Sequence, residues 1–148
     1  MAKRGIFTMV LAIVGTVMVW LPILAPLLFG LVSLVVDSIF RFDYLMPAEL
    51  FPLTVLGGGL LLWAARRAQS HLALIASSLV IAVLSLASGQ LVAIVTGLAS
   101  GDTPVGGWQW ALALGLIIVY ILAVAVIGLG GILLLRDLFK SVAPRMGT

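Results

Sequence analysis

The side chains able to do acid–base chemistry are few and far apart. His71 is the single histidine, and the carboxylates are Asp37, Asp43, Glu49, Asp102 and Asp137. A hydrolytic triad needs a nucleophile, a base and an orienting acid within mutual hydrogen-bond reach. General acid–base catalysis needs titratable groups that converge on one substrate. Asp43 and Glu49 are the candidate carboxylate pair for an enzyme acting on lipid. Their six-residue separation spans Pro47, and nothing in that spacing brings them together. There is no cysteine, so disulfides, thiol redox chemistry and thiolate metal sites are excluded. His71 has no acid near it in the sequence and gives no metal-ligand spacing. The glycine runs lie inside apolar stretches with no strand before them, so they are neither a P-loop nor a dinucleotide fingerprint. The expected catalytic, cofactor-binding and metal-ligating sets are therefore empty, and the chain reads as non-enzymatic.

A second polar set lies within the apolar stretches. It comprises Trp20, Ser85, Ser88, Gln90 and Tyr120. Trp20 and Tyr120 fall near the middle of their stretches, where an indole N–H and a phenol O–H need partners. Trp20, Gln90 and Tyr120 are the candidates for a small polar cavity that takes a neutral solute. The alternative is hydrogen bonding between helices, at about 1 kcal/mol per bond. The alternative is favoured, because polar residues in membrane helices more often bond between helices than line a ligand cavity. The absence of ionisable residues inside the apolar stretches argues against proton-coupled or cation transport but leaves passage of a neutral solute open.

The elements that position these residues follow from composition. Hydrophobic residues make up 64% of the 148 and charged residues 9%. A soluble domain carries about 25% charged residues, so the solvent for most of this surface is lipid. Four stretches approach the roughly 20 apolar residues that a helix needs to cross a bilayer. They run over about 5–36, 47–65, 72–99 and 108–135. MAKR before an apolar run has the form of a signal-peptide start. The run from Ile6 to Val36 exceeds the roughly 7–15 residues of a signal core, so it reads as a retained anchor. At about 1.5 Å per residue it is too long for a bilayer core of about 30 Å. Pro22 and Pro26 predict a kink or a break within it.

The charges between the stretches sort by sign. Lys3, Arg4, Arg66, Arg67, Arg136, Lys140 and Arg145 fall on one side, with His71 and Asp137. Asp37, Arg41, Asp43, Glu49 and Asp102 fall on the other. Lys/Arg excess marks the cytoplasmic side, so both termini are expected there. The net charge of +3 thus reports membrane orientation and not nucleic-acid binding. Residues 37–46 form the outer connection between the first two stretches. Asp37 and Arg41 pair at i, i+4, while Ile39, Phe42, Leu45 and Met46 share the opposite face, which predicts a short interfacial helix. Arg41, Asp43 and Glu49 are its candidate recognition residues.

Lipid tails are as apolar as leucine, so membrane helices associate through close packing at small residues. Ser85, Gly89, Ala93 and Gly97 recur every four residues as a ridge, and Thr8, Ala12 and Thr16 form a shorter one. Gly57, Gly58 and Gly59 cluster in the second stretch, with Gly128 and Gly131 in the fourth. These are the candidate packing residues. The expectation is an all-α integral membrane protein, one domain over residues 1–148. Its architecture is a four-transmembrane-helix bundle with both termini inside and an outer interfacial helix. Its expected partners are the lipid bilayer and either a protein subunit or further copies of itself. A carrier or channel for a neutral solute is the second reading. Compactness and the lack of glycosylation sequons suggest a bacterial cytoplasmic membrane.

Overall fold

The structure, a computed structural model, describes residues 2–37, 47–104 and 106–142. It holds four α-helices among the described residues: α1 (Ala2–Asp37), α2 (Pro47–Ala68), α3 (Leu72–Val95) and α4 (Trp108–Val142). There is no strand among those residues. Helix is what an apolar chain must adopt in lipid, where each backbone N–H and C=O has to be satisfied within its own segment. The expected outer segment, with Arg41 and Asp43, lies outside the described residues. Glu49 falls within the range of α2, and its side chain also lies outside what is described.

Three helices are long and apolar enough to cross a membrane. They are Gly5–Val36 in α1, Leu72–Val95 in α3 and Trp108–Val142 in α4. The α2 helix is not among them. Its apolar content is the lowest of the four, because Pro52, Thr54, three successive glycines and Trp63 dilute it and Arg66 and Arg67 close it. The surface confirms the solvent. Val35 is 78% exposed, Val95 76% and Ile94 67%, and leucine, valine and isoleucine dominate the exposed apolar side chains. Water would not tolerate a continuous apolar coat of this extent.

The helix boundaries refine the expected ones. The α1 helix runs unbroken through Pro22 and Pro26, so the chain does not stop and restart there. At about 1.5 Å per residue its 36 residues span roughly 54 Å. The α3 helix ends at Val95, four residues early. Thr96 caps it, and Gly97 then takes φ +74°, a left-handed conformation that glycine adopts without penalty. Conversely, α4 continues seven residues past Leu135, through Arg136, Asp137 and Lys140.

The four helices close into a ring. α1 packs on α2 and α4, and α3 packs on α2 and α4. α2 and α4 also touch across the centre, which leaves α1 and α3 apart. The core is narrow and built of small and branched residues. Ala12 and Val19 of α1, Leu61, Ala64 and Ala65 of α2, Ile75 and Ala82 of α3, and Ala123, Val124, Ile127 and Leu134 of α4 belong to one buried cluster. Thr16 and Ser85 are buried as well, and their hydroxyls donate to the carbonyls of Ala12 and Ile81, each at 2.7 Å, within their own helices.

Candidate functional site

The contacts between helices are set by glycine. Gly15 on α1 and Gly57 on α2 cross so closely that a Cβ on either would lie 2.9 Å from the other's carbonyl oxygen. A Cβ on Gly131 would lie 2.5 Å from Thr16 Oγ1 and 3.1 Å from Leu61. One turn away, a Cβ on Gly128 would strike the indole of Trp20 at 2.9 Å. Gly58 accommodates Leu79, and Gly89 lies against Leu116. These contacts all lie within one chain, so Gly57, Gly58, Gly89, Gly128 and Gly131 serve its internal packing. Gly59 and Gly115 have open space around them. The ridge expected on α3 divides in the same way. Ser85 and Gly89 are buried, and Ala93 is half-buried. Gly97 leaves the helix altogether and folds against Asp102 and Thr103. It is a helix terminator, because its positive φ removes it from the α3 face.

The three polar candidates do not converge. Tyr120 is buried on α4, and its hydroxyl pairs with Thr54 Oγ1 on α2 at 3.0 Å. This bond joins the two helices that meet across the centre. Trp20 lies against Gly128, and its Nε1 is buried with no hydrogen-bond partner among the described residues. Gln90 is exposed on α3 and does not line the cavity beside Tyr120. The small cavity beside Tyr120 is lined by Pro22, Ile23, Pro26, Leu27, Ile121 and Val124, with a volume of 110 Å³. Its walls are apolar apart from the phenol, so it is no polar chamber shared by Trp20, Gln90 and Tyr120.

At one end of the ring the basic residues gather. Arg67, in the last turn of α2, sits over the ring of Phe7 on α1, with 5.3 Å from guanidinium carbon to ring centre. Phe7 in turn meets Trp63 edge-on at 6.1 Å. The α2–α3 connection is three residues long, and two of them, Gln69 and His71, have positive φ. Asp137 on the extension of α4 holds that turn. Ser70 Oγ donates to its Oδ2 at 3.0 Å, and His71 Nε2 donates to the same oxygen at 2.9 Å. The hydrogen bond from His71, then that from Ser70, and the nearby charge of Lys140 hold the Asp137 carboxyl below the ordinary carboxylate range. His71 thus has an acid partner that its sequence neighbours do not supply. The three residues do not form a triad, because serine and histidine both bond the carboxylate and not each other.

Sequence reasoning passed over Gly15 and Thr54, and it placed Asp137 on the side of His71 without pairing the two. Gly15 was hidden between Ala12 and Thr16 and belongs to the same face. Thr54 carried no signal that it would meet Tyr120, 66 residues away. The Asp137 contact depends on how far α4 extends past its apolar run. Among the described residues no group of three or more His, Cys, Asp or Glu side chains could hold a metal ion. A scan of family models finds no match to this chain, and searches of curated proteins and of solved structures find none either.

Proposed function

We propose that this chain is a four-span membrane protein, with both ends on the cytoplasmic side, that works by assembling with copies of itself or with a partner subunit. On this reading it is not an enzyme. Membrane residence rests on the three apolar helices. The fourth crossing is supported by α2 packing along α1 and lying against α4. The orientation is supported by Arg66, Arg67, Arg136 and Lys140 falling at one end, where the Lys/Arg bias sets topology.

Gln90 carries the assembly reading. It is exposed on a helix surrounded by lipid, next to the Gly89–Leu116 contact between α3 and α4. Gly115, open on its own side, adjoins the same contact and so lies at the same depth. A primary amide bears both donors and acceptors, all left unpaired against acyl chains. A second amide satisfies them reciprocally, and an adjacent small residue lets the backbones approach. Mass determination in lipid nanodiscs tests this. The expected result is an oligomer or a stoichiometric complex for the wild type, and dissociation for Gln90→Leu. A wild type that is a bare monomer overturns the reading.

One observation favours carriage of a small neutral solute instead. The unpartnered Trp20 indole and the cavity beside Pro22, Pro26 and Tyr120 both lie between α1 and α4. That reading requires Tyr120→Phe to abolish flux into proteoliposomes while leaving the assembly intact.

A further inference from the structure

We infer that the groove between the start of α1 and the ends of α2 and α4 binds the phosphate of an anionic phospholipid, with Arg67 as its anion contact. The groove has a volume of 470 Å³ and is lined by Gly5, Thr8, Arg67, Ala68 and Leu138. That volume falls within the roughly 300–1,000 Å³ of small-molecule sites. Its lining is divided. Arg67 supplies the charged group, and Ala68 and Leu138 supply apolar walls. A phosphodiester with the first carbons of its glycerol has the same division.

Three observations fit this ligand. First, Arg67 is positioned but not neutralised. Its guanidinium rests on the Phe7 ring and makes no ion pair among the described residues. A planar guanidinium held by an aromatic face keeps its N–H edge free for bidentate phosphate binding. Second, the carboxylate nearest in sequence is already engaged. Asp137 precedes Leu138, and its Oδ2 accepts from both His71 and Ser70. The surrounding helix ends add Arg66, Arg136 and Lys140. Third, the depth is right. Trp63 is 53% exposed beside Phe7, one turn from Arg67, and exposed tryptophan marks the headgroup level. Phosphate and the start of an acyl chain are found together at that level. The inference requires only that this end of the helices meets headgroups, and it is independent of oligomeric state.

The test uses the full chain in phosphatidylcholine nanodiscs doped with phosphatidylglycerol, with retained lipid counted by native mass spectrometry. The wild type is expected to retain phosphatidylglycerol above its share of the disc. Arg67→Gln should lower that enrichment ~5-fold, the equivalent of about 1 kcal/mol for one charge near the surface. Gly5→Leu is the companion variant. Gly5 lines the groove and nothing lies within 4 Å of a Cβ there, so a leucine side chain starts into open groove space without altering charge. It should lose the enrichment too. Arg136→Gln removes a charge at the same end that does not line the groove, and should retain it. No enrichment in the wild type overturns the site. So does an equal loss in Arg67→Gln and Arg136→Gln, or full enrichment in Gly5→Leu, since each describes a diffuse basic surface. Inorganic phosphate added to discs of phosphatidylcholine alone, followed by phosphorus NMR, separates the two sources of the anion. Saturable binding that Arg67→Gln abolishes would assign the groove to a soluble phosphate and overturn the lipid.

Discussion

Gly57 and Gly59 stand two residues apart on α2 and have opposite surroundings. A Cβ on Gly57 would meet Met18 Cβ at 2.8 Å and the Gly15 carbonyl oxygen at 2.9 Å. A Cβ on Gly59 would meet nothing within 4 Å. Gly58, between them, faces Leu79 Cδ1 at 2.6 Å, the far end of a flexible side chain. In one run of three identical residues, the neighbour is in turn backbone, a movable methyl group and open space. The difference teaches that a small residue in a membrane helix has no single meaning. Gly57 sets how closely two helices of this chain cross. Gly59 leaves room on the outside, where lipid or another helix can lie.

Gly57→Ala should produce the largest effect. Backbone atoms of α1 cannot step aside as a side chain does, so the helices must separate and strip contacts from Ala12, Val19 and Leu61. Overpacking of this kind destabilises by about 1–3 kcal/mol, occasionally more. Reversible unfolding in bicelles measures it. A Gly57→Ala protein as stable as the wild type would break the contrast at its strongest point.

Thr54→Val sharpens the same contrast for hydrogen bonds. It keeps the volume and leaves the buried Tyr120 hydroxyl without its partner across α2 and α4. Interhelical bonds of this kind average about 0.6 kcal/mol and reach about 1.7, so the same unfolding assay should place it below Gly57→Ala. Tyr120→Phe should match it, and the double variant should lose no more than either alone, because both remove one bond. Gly59→Ala should move the other way. Alanine is better than glycine within a helix by ~0.5–1 kcal/mol, and no neighbour opposes the added methyl. A destabilised Gly59→Ala protein would mean that something closes on that face.

Much of this arrangement was legible in the sequence. Lipid-facing composition and the all-helical class follow from Leu, Val and Ile runs, which need only local reading. Pro22 and Pro26 did not interrupt α1, because the two prolines remove only two of its many backbone bonds. The α2 helix was expected to span like the others, yet its glycines, Thr54 and Trp63 make it the least apolar of the four. Those residues fit an inner helix, since Thr54, Gly57, Leu61, Ala64 and Ala65 are all buried. What local reading leaves open is pairing. A four-residue period locates a ridge but not the helix it meets, so the ridge from Ser85 to Gly97 fits packing within the bundle or between subunits alike. In the structure Ser85 and Gly89 turn inward and Gly97 ends the helix. Gln90, one residue from the buried Gly89, points outward, as a rotation of about 100° per residue requires.

The same division into closed and open contacts reaches the polar end of the ring, where the smallest effect is expected. The Thr54–Tyr120 bond is buried, whereas the Asp137 contacts are exposed to solvent. Asp137 lies beyond the apolar run of α4, and its bonds to His71 and Ser70 lower its pKa from the ordinary value of 3.8. A carboxyl lowered on folding contributes stability that is fully present above its unfolded value and is lost as pH falls through its folded value. The wild type should therefore exceed Asp137→Asn in stability at neutral pH, and the gap should close as the pH is taken well below 3.8. The comparison between the two proteins cancels the titration of the other carboxylates. Two non-glycine residues at positive φ flank Ser70, so releasing Asp137 also frees a strained turn. Faster amide exchange at Gln69–His71 in Asp137→Asn, with exchange in α2 and α4 unchanged, would place that contact among the open ones. A gap that persists unchanged into acid would show that Asp137 acts through packing and not through its charge, and the division between closed and open contacts would no longer run along burial.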